Sequence, residues 1–294
     1  MIKVLNIIKE LRDGDLHLLN SIERGMKKHD LVPFDALLIY SGYTEDDVEF
    51  YLNRILKFEL IKKKTGRNSS FKLKTSGYDC LALNTLIKAN IIEAFGYKLG
   101  VGKEADVYSV LLANDKKQAA IKIHRVGRAS FYHVKRYRTY IGQRKHISWL
   151  YLSRLAAQKE FEALKTLYDA KFPVPEPIFQ NRHTIVMSFI NNGKLLSELN
   201  YLKNPNKVLD KILDFIFLSF KNYDIIHADL SEFNIMMTKK SKFLIFDFPQ
   251  WISSEHPQYV HYLKRDIVNI LDFFRRKFDI NIYDNEEIYN KFGL

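Results

Sequence analysis

The sequence predicts an α+β protein in which a small helical region with one β-hairpin precedes a larger region that mixes strands and helices. Apolar residues recur at helical spacing over residues 3–12 and 16–28 of the 294-residue chain. Further along, apolar runs of strand length over 107–112 and 119–124 are bounded by turn residues and followed by longer helical stretches. With 47% hydrophobic residues, the chain can fill the cores of two domains.

The N-terminal region has the element order of a winged helix. Thr44, with Asp47 three residues later, forms a capping box and predicts the start of a fourth helix. Two strand-like runs over 60–64 and 71–74 flank a polar turn and predict a two-stranded wing. A further helical stretch leads out of this region, so residues 1–92 form the first predicted domain.

The charges of this domain bear on its partners. A winged helix usually binds nucleic acid by placing its last core helix in a groove, but here that helix begins with Glu45-Asp46-Asp47. Carboxylates at this position repel a phosphate backbone, so we expect no reading of duplex DNA. The lysine-rich wing, residues 62–74, is a candidate for contact with RNA or a ribonucleoprotein. A solvated edge hairpin that discourages strand pairing explains the same lysines.

A predicted β-hairpin near the end of the chain carries polar side chains at both ends. The apolar runs over 235–237 and 243–246 are split by a polar turn, with Asp229 and Asn234 before the first run and Asp247 after the second. Such a hairpin brings Asn234 and Asp247 close enough to share a cation. A hard ion such as Mg²⁺ takes oxygen ligands from carboxylates, amides and phosphates, so the arrangement suits phosphoryl transfer. Polar residues at strand ends also commonly cap turns.

A second cluster upstream makes phosphoryl transfer a more specific interpretation. The turn Gly100-Val101-Gly102 lies between strand-like runs, where backbone N–H groups can approach phosphates, and Lys122 on a following strand supplies a point charge. The next helix carries Glu160, which can pair with Lys122, and Glu162, a competing partner on a different helical face. The apolar spacing does not choose between the two glutamates.

These clusters and several further motifs resemble the RIO family of atypical protein kinases. The resemblance covers nearly the whole chain and is strongest for the second subfamily, whose members carry an N-terminal winged helix. It implies a winged helix followed by a reduced two-lobed protein-kinase-like domain, with lobes over 93–190 and 191–294. The motifs that carry it are GVGKEAD (100–106), HRVGRASF (124–131), FPVPEPI (172–178), HADLSEFN (227–234) and DFPQ (247–250).

The resemblance also implies residues that bind ATP and Mg²⁺, with Mn²⁺ as an alternative ion. Asp229 is implied to orient or deprotonate the attacking hydroxyl or water, and Asn234 and Asp247 to hold the metal ion across the phosphates. In the family, the residue at the Asp247 position has also been considered as a phosphate acceptor. The implied nucleotide-binding residues are Gly100, Gly102, Lys103, Glu104, Lys122 with its partner Glu160, and Ser188 and Ile190 of the hinge, whose backbone groups face adenine.

The sequence departs from related patterns in ways that affect the expected function. Pro249 replaces the glycine that follows Asp-Phe in ordinary kinases, which predicts a stiff turn instead of a flexible switch. Ala105 stands where the family usually has serine, which removes a hydroxyl that can bind phosphate. The sequence after Asp247 is too short for the helices that hold a peptide substrate in full-sized kinases. This favours ATP turnover coupled to binding and release of a partner.

Three residues with reactive or titratable side chains are predicted to have structural roles. His227 is expected to pack and hydrogen-bond so that it holds the loop around Asp229. Asp266 is expected to cap or pair within the last long helix. Cys80 is the only cysteine, which excludes an internal disulfide framework, and its apolar helical surroundings predict a buried side chain.

The net charge of +12 is concentrated in one segment. Residues 124–154 contain eight Lys and Arg residues and no Asp or Glu, with Phe and Tyr interleaved. This composition suits RNA, through phosphate pairing and base stacking. Together with the resemblance, it predicts that the loop over 124–148 and the wing contact the pre-ribosomal small subunit and its RNA. A solvated loop, or a loop that touches ATP, fits the same composition.

The expected location is the cytoplasm, because the sequence has no long apolar run and no secretory signal. Its compactness fits an archaeal member of the family. We expect an ATP-dependent serine/threonine kinase or ATPase in maturation of the small ribosomal subunit. Two alternatives are a small-molecule phosphotransferase of the aminoglycoside or choline type, and a non-enzymatic regulator that binds nucleic acid.

Overall fold

The computed structural model describes residues 1–66, 69–102, 104–126, 148–191, 193–238, 242–280 and 284–294. Its helices are α1 (Ile2–Glu10), α2 (Asp13–Gly25), α3 (Phe34–Ser41), α4 (Glu45–Lys57), α5 (Thr75–Lys88), α6 (Trp149–Asp169), α7 (Pro205–Tyr223), α8 (Tyr259–Phe278) and α9 (Asn285–Phe292). Its strands are β1 (Val32–Pro33), β2 (Ile61–Lys64), β3 (Ser70–Leu73), β4 (Ile92–Val101), β5 (Ala105–Leu112), β6 (Gln118–His124), β7 (Pro177–Asn181), β8 (Thr184–Ser188), β9 (Lys194–Leu195), β10 (Ile235–Met237) and β11 (Phe243–Ile245).

Contacts divide the chain into two compact units. The first comprises Met1–Lys117, Ile123–Leu155 and Asn181–Thr184, and the second comprises Gln118–Lys122, Ala156–Gln180 and Ile185–Leu294. The division of the chain into domains at residues 92 and 190 stays a prediction.

The first unit begins with helices packed beside a small antiparallel sheet. Thr44 caps α4, because its side-chain oxygen accepts a hydrogen bond from the Asp47 N–H at 3.3 Å, as the capping box predicts. The predicted wing is present as β2 and β3, and the short β1 pairs with β3 on its other side. The helices bury Leu19, Ile55 and Leu81 in a shared apolar core. Helices followed by this sheet have the order of a winged helix.

The first unit continues into a long β-hairpin. β4 pairs antiparallel with β5 from Ile92 opposite Leu112 to Val101 opposite Asp106, with register shifts along the ladder. The predicted glycine turn lies at the tip of this hairpin. The ladder therefore places Gly100 and Gly102 where two strands reverse direction.

The second unit holds most of strands β6, β8 and β7, which are neighbours in that order. It also holds α6 from Ala156 onward and the helices α7, α8 and α9. A separate small sheet has the order β11, β10, β9. The predicted hairpin that carries Asn234 and Asp247 is confirmed as β10 and β11, since Ile235 pairs with Ile245 and Met237 with Phe243. The sequence also predicts a final long helix near residues 259–278, and α8 spans these residues.

Several sequence predictions need correction or addition. The sequence over 195–199 predicts a short helix, and this prediction is wrong. The chain there forms the strand β9 followed by a single 3₁₀ turn, because Leu195 pairs with Met236 of β10. Helix α9 was not predicted from the sequence. The Asp284 side chain caps it, and its own residue Ile288 is buried. Cys80 is buried, as expected. None of the helices in the described ranges combines the length and apolar character needed to cross a bilayer.

Candidate active site

A buried lysine on β6 forms the first part of the site. β6 is buried along almost its whole length, which gives the Lys122 side chain little access to water. Its Nζ lies 2.7 Å from both carboxylate oxygens of Glu160 on α6. Glu160 is buried, whereas Glu162 is exposed, so the structure places the first glutamate beside the lysine.

A second carboxylate completes the surroundings of this lysine. Lys122 Nζ also donates to Asp247 Oδ1 at 2.5 Å. Burial disfavours the Lys122 ammonium, but the charges of Asp247 and Glu160 outweigh it and raise the pKa of Lys122 above its ordinary value. The lysine is therefore a fixed positive charge between two carboxylates.

The hairpin of β10 and β11 places Asn234 and Asp247 at its two open ends. Asn234 O accepts from the Phe246 N–H at 3.1 Å, and Asp247 follows directly with a positive φ of 73°. Asn234 Nδ2 donates to Asp229 O at 2.8 Å, which leaves its amide oxygen available. The pair thus offers one carboxylate and one amide oxygen at the same end of the hairpin, one beside each of its two strands.

These donors fit a hard divalent cation. Magnesium is commonly held by one or two protein oxygen ligands plus water and substrate phosphates. Within the described ranges, no group of three or more His, Cys, Asp or Glu side chains could hold a metal ion. A cation at Asn234 and Asp247 would accordingly depend on a phosphate-bearing ligand for the rest of its coordination.

The loop that carries Asp229 exposes this side chain on a rigid backbone. Asp229 is 65% exposed, whereas its neighbours Ala228 and Leu230 are buried. Ala228 has a positive φ of 61°, a conformation that costs energy for a residue with a Cβ and persists only where the surroundings hold it. Upstream, Ile226 and Ile252 exchange two backbone hydrogen bonds of 2.9 Å, which fix the start of the loop.

His227 supports this loop from inside, as predicted. Its Nε2 lies 3.2 Å from the Phe246 carbonyl oxygen, and its ring packs 4.5 Å from the ring of Phe248. Burial lowers the pKa of His227 below its ordinary value, so the neutral imidazole is favoured. The side chain is enclosed between the loop and the hairpin, which suits a structural role.

Helix α8 holds the same loop from the other side, and sequence reasoning missed this. Asp266 accepts hydrogen bonds from the N–H groups of Ala228 at 2.7 Å and Leu230 at 3.0 Å. The expectation that Asp266 caps or pairs within its own helix is therefore wrong. Arg265 donates to the Ala228 carbonyl oxygen and lies 3.9 Å from Asp229 Oδ1. Asn269 donates to the Leu230 carbonyl oxygen at 3.1 Å.

A signal for Asp266 was present in the sequence. Leu263, Ile267, Ile270 and Phe274 form the buried stripe of α8, and Asp266 lies on the same face. A carboxylate on an apolar stripe needs hydrogen-bond donors from elsewhere in the fold. Burial raises the pKa of Asp266 to about 7, although the two backbone N–H groups favour its ionised form.

The glycine turn belongs to the first unit and is open on its outer side. A Cβ added at Gly100 would meet no atom within 4 Å, so this backbone is accessible to a ligand. Gly102 N donates to the Ala105 carbonyl oxygen at 2.8 Å, which closes the turn. Glu104 O accepts from the Arg125 N–H at 2.6 Å, which ties the turn to the end of β6. Lys103 lies outside the described residues.

The predicted hinge follows β8 in the second unit. Ser188 N donates to the Glu176 carbonyl oxygen at 2.9 Å, and Ser188 Oγ accepts from the Glu176 N–H at 2.9 Å. The N–H of Ser188 is thus committed within the protein and cannot face a ligand. Ile190 takes part in none of the described backbone hydrogen bonds outside regular helices and strands, so its N–H is a candidate group.

The two predicted RNA-contact segments are described to different extents. Residues 127–147 of the basic loop lie outside the described residues, so the structure does not bear on that prediction. In the wing, Lys62 and Lys64 are exposed on β2, while Lys63 stacks over Phe71. Lys72 lies 3.8 Å from Asp30. The described wing therefore presents positive charge along an edge strand.

A cavity of about 570 Å³ in the second unit is separate from these carboxylates. It lies where the end of α6, the helix α7 and the hairpin meet, and it is lined by Phe172, Phe215, Leu218, Lys211 and Lys242 among others. None of the predicted catalytic, metal-binding or nucleotide-binding residues lines it. We therefore do not assign it to the site.

Two protein families match the chain. Residues 106–288 match the RIO domain, and residues 8–89 match the Rio2 N-terminal domain. The second match covers the helices and sheet described above as a winged helix. Together the two matches agree with the α+β fold class predicted from the sequence.

Curated relatives and solved structures show the same similarity. The chain is 41% identical to the RIO-type serine/threonine-protein kinase Rio2 of Methanocaldococcus jannaschii over 85% of this chain and 92% of that protein. It is 38% identical to the serine/threonine-protein kinase rio2 of Dictyostelium discoideum over 92% of this chain, but it spans only 52% of that relative. A crystal structure of the Rio2 kinase–ADP/Mg²⁺–phosphoaspartate complex from Chaetomium thermophilum matches with a TM-score of 0.82 and 32% identity, covering 97% of this chain and 88% of that one.

Proposed function

Because the chain belongs to the RIO family, within its Rio2 branch, we propose that it is an ATP-dependent phosphotransferase that uses Mg²⁺. The observation that carries the proposal is the buried Lys122, held between Glu160 and Asp247. A purely structural ion pair needs only one carboxylate beside the lysine. With two carboxylates, one can rotate away to bind a cation while the other still holds the lysine, which can then contact a phosphate. Asp247 is the carboxylate that can rotate, because it is 42% exposed.

Each site residue has a role in this proposal. Lys122 contacts the phosphates of the nucleotide, and Glu160 prevents it from moving away. The glycine turn, with Gly100, Gly102, Lys103 and Glu104, approaches the phosphates through its backbone. The Ser188 carbonyl and the Ile190 N–H contact the adenine base. Asp229, exposed on a loop fixed from both sides, orients the attacking hydroxyl or water and accepts its proton.

Asn234 and Asp247 would hold Mg²⁺, which supplies charge neutralisation at the phosphate oxygens when bound. Asp247 is also the candidate for a phosphorylated residue, since the Chaetomium relative was captured with phosphoaspartate and ADP. In that step an Asp247 oxygen attacks the γ-phosphorus of ATP, and the bond to the ADP oxygen breaks. Water positioned by Asp229 then attacks the phosphoaspartate, gives its proton to Asp229 and releases inorganic phosphate.

The experiment that tests this activity is turnover of ATP labelled in the γ-phosphate, followed by acid quenching. We expect release of labelled phosphate and a protein-bound label that hydroxylamine removes, as for an acyl phosphate. Asp247→Asn should abolish both. Asp272→Asn, which alters an exposed carboxylate on α8, is the matched control and should leave both signals unchanged. Wild-type protein that releases no phosphate from ATP would refute the proposal.

We further propose that this activity serves maturation of the small ribosomal subunit in the cytoplasm. The family resemblance, the acid-free segment over 124–154 and the exposed lysines of the wing support this. The test is sedimentation with ribosomal particles in cell extract, with and without ATP. Migration with chromosomal DNA alone would refute this role and favour the nucleic-acid-binding regulator.

A further inference from the structure

A buried cluster of charged and titratable side chains lies within the first unit. Arg125, just after β6, donates to both carboxylate oxygens of Asp79 on α5, at 2.6 and 2.7 Å. His183 lies just before β8, and its Nε2 is 2.7 Å from Asp79 Oδ1. Arg125 Nε lies 3.5 Å from Asp106 Oδ2 at the start of β5. All four side chains are buried.

Burying these charged side chains costs so much free energy that the cluster is not incidental to the fold. Buried ions require partners in good geometry, and removing one partner from such a pair is strongly destabilising. Asp79 meets this requirement with a two-pronged contact from Arg125 and a hydrogen bond to His183. Burial acts to raise the pKa of Asp79, but these two partners outweigh it and hold that pKa below its ordinary value. An ionised Asp79 therefore fixes the Arg125 guanidinium in one orientation.

This fixed arginine also contacts two residues of the segment 100–106, which contains the glycine turn. Its backbone N–H donates to the Glu104 carbonyl oxygen at 2.6 Å, within the turn. Its guanidinium reaches Asp106, which ends the turn and pairs with Val101 across the β4–β5 ladder. A continuous path of polar contacts thus runs from α5 to the segment 100–106.

We propose that Asp79 and Arg125 are positioning residues for ATP binding, through which the winged-helix domain sets the conformation of the glycine turn. The inference rests on the proposed function, because it assigns the turn to phosphate contact. A turn whose backbone N–H groups are already held in place loses no further conformational entropy when it binds phosphate. A partner that displaces α5 would then change nucleotide affinity without touching the nucleotide.

A nearby contact offers a matched control. Arg182, in the turn between β7 and β8, donates to Glu23 on α2 at 2.8 Å and to Asn20 on the same helix at 2.9 Å. It also contacts Thr85 on α5 at 3.1 Å. This arginine fastens α5, the helix that carries Asp79, and also α2, but none of these contacts involves the glycine turn. Loss of Arg182 should loosen the domain without moving the turn.

The experiment compares steady-state ATP kinetics of the wild type with Asp79→Asn, Arg125→Lys and Arg182→Ala. Asparagine offers one oxygen in place of two, and lysine cannot make the two-pronged contact. For Asp79→Asn and Arg125→Lys we expect the KM for ATP to rise about tenfold with kcat within about twofold. Arg182→Ala should lower the melting temperature but leave the KM within about twofold. Hydrogen exchange of the amides of 102–106 should accelerate only in the first two variants.

Two results would overturn the inference. One is an unchanged KM for ATP in a folded Asp79→Asn or Arg125→Lys protein. If Asp79→Asn does not fold, the KM of Arg125→Lys is the deciding measurement. The other is an equal rise in KM for Arg182→Ala, which would mean that general loosening is responsible. If the wild type neither binds nor hydrolyses ATP, the proposed function fails, and the hydrogen-exchange comparison alone decides whether Asp79 and Arg125 position the turn.

Discussion

Replacement of Lys122 by methionine should destabilise the protein in a pH-dependent way that a second substitution reverses. Methionine fills most of the space of the lysine side chain but carries no charge. Glu160 is 1% exposed and then faces an apolar neighbour in place of the ammonium that contacts both its oxygens. Asp247 loses the same partner, but water can reach it because it is 42% exposed.

Two estimates of the cost agree. Breaking a buried ion pair by removing one partner costs about 3–5 kcal/mol. Alternatively, Glu160 can take up a proton, which at pH 7 costs about 3.7 kcal/mol for a glutamate with the ordinary pKa of about 4.3. We therefore expect a loss of about 4 kcal/mol in the free energy of unfolding at pH 7. Because the second cost falls by about 1.4 kcal/mol per pH unit, the loss should shrink to about 2 kcal/mol at pH 5.5.

The assay is urea unfolding at 25 °C, followed by the fluorescence of Trp251. Its indole N–H donates to the Lys159 carbonyl oxygen at 2.8 Å, so its emission reports unfolding beside Glu160. A Trp149→Phe background removes the second tryptophan of the chain. The matched control is the double variant Lys122→Met with Glu160→Met, in which no buried carboxylate is left at this position.

The double variant separates electrostatics from packing. Replacing both members of a buried pair by apolar side chains of similar volume is often neutral or stabilising. We expect it to be at least about 2 kcal/mol more stable than Lys122→Met, yet as inactive toward ATP. The reasoning would be refuted if Lys122→Met were as stable as the wild type, or if adding Glu160→Met lowered stability further.

Three further changes test other parts of the site. In Asp266→Asn one loop N–H loses its acceptor, which should cost about 1–3 kcal/mol. Because burial raises the folded-state pKa of Asp266 to about 7, its contribution to stability is full at low pH and falls as pH rises. The wild-type advantage over Asp266→Asn, measured by urea unfolding, should thus be about 2 kcal/mol larger at pH 5.5 than at pH 8. In Ala105→Ser a hydroxyl is restored beside the glycine turn, and affinity for ATP by calorimetry should rise about threefold to tenfold, the effect of one hydrogen bond. Burial lowers the pKa of His227, so its imidazole should remain neutral at pH 6.5 in an NMR titration. The stability that the neutral ring contributes should be lost as pH falls.

Each of these expectations has a contradicting result. A wild-type advantage over Asp266→Asn that grows with pH would mean that this carboxylate is ionised more easily in the fold than outside it. Unchanged ATP affinity in Ala105→Ser would show that the turn does not contact phosphate at that position. A midpoint for His227 above pH 6.5 would show that a neighbouring carboxylate stabilises the imidazolium.

The parts of the site that lie close together in sequence could be predicted from local pattern. Apolar runs on either side of a polar turn define the hairpin, and its register then places Asn234 and Asp247 at adjacent ends. The capped start of α4 follows in the same way from Thr44 and Asp47. In both cases the physical cause acts within a few residues, so one stretch of sequence contains all of it.

The partner of Lys122 shows where the spacing of large apolar residues does not decide between two candidates. Large apolar residues such as Leu155 and Phe161 do not define the buried face of α6, since both are only partly buried. The buried stripe contains small residues, including Ala156, Ala157 and Ala163, and Glu160 lies among them. Counting alanines as core residues would have placed Glu160 on the inner face.

The contacts that fix the loop and the glycine turn depend on tertiary structure. Asp266 accepts hydrogen bonds from the N–H groups of Ala228 and Leu230, which precede it in the chain by 38 and 36 positions. Asp79 and Arg125 are 46 positions apart. No periodicity identifies such partners, but a charged residue on an apolar face indicates that a partner must exist.

The central claim is that Lys122 binds the nucleotide and that Asp229 activates the attacking hydroxyl or water during turnover. The most direct measurement compares equilibrium ATP affinity and ATP turnover of the wild type, Lys122→Ala and Asp229→Ala at saturating Mg²⁺. The account predicts that Asp229→Ala binds ATP within about twofold of the wild type but turns it over at least about 100-fold more slowly, the contribution expected of a general base. Lys122→Ala should lose both affinity and turnover. Wild-type turnover in Asp229→Ala would contradict the account.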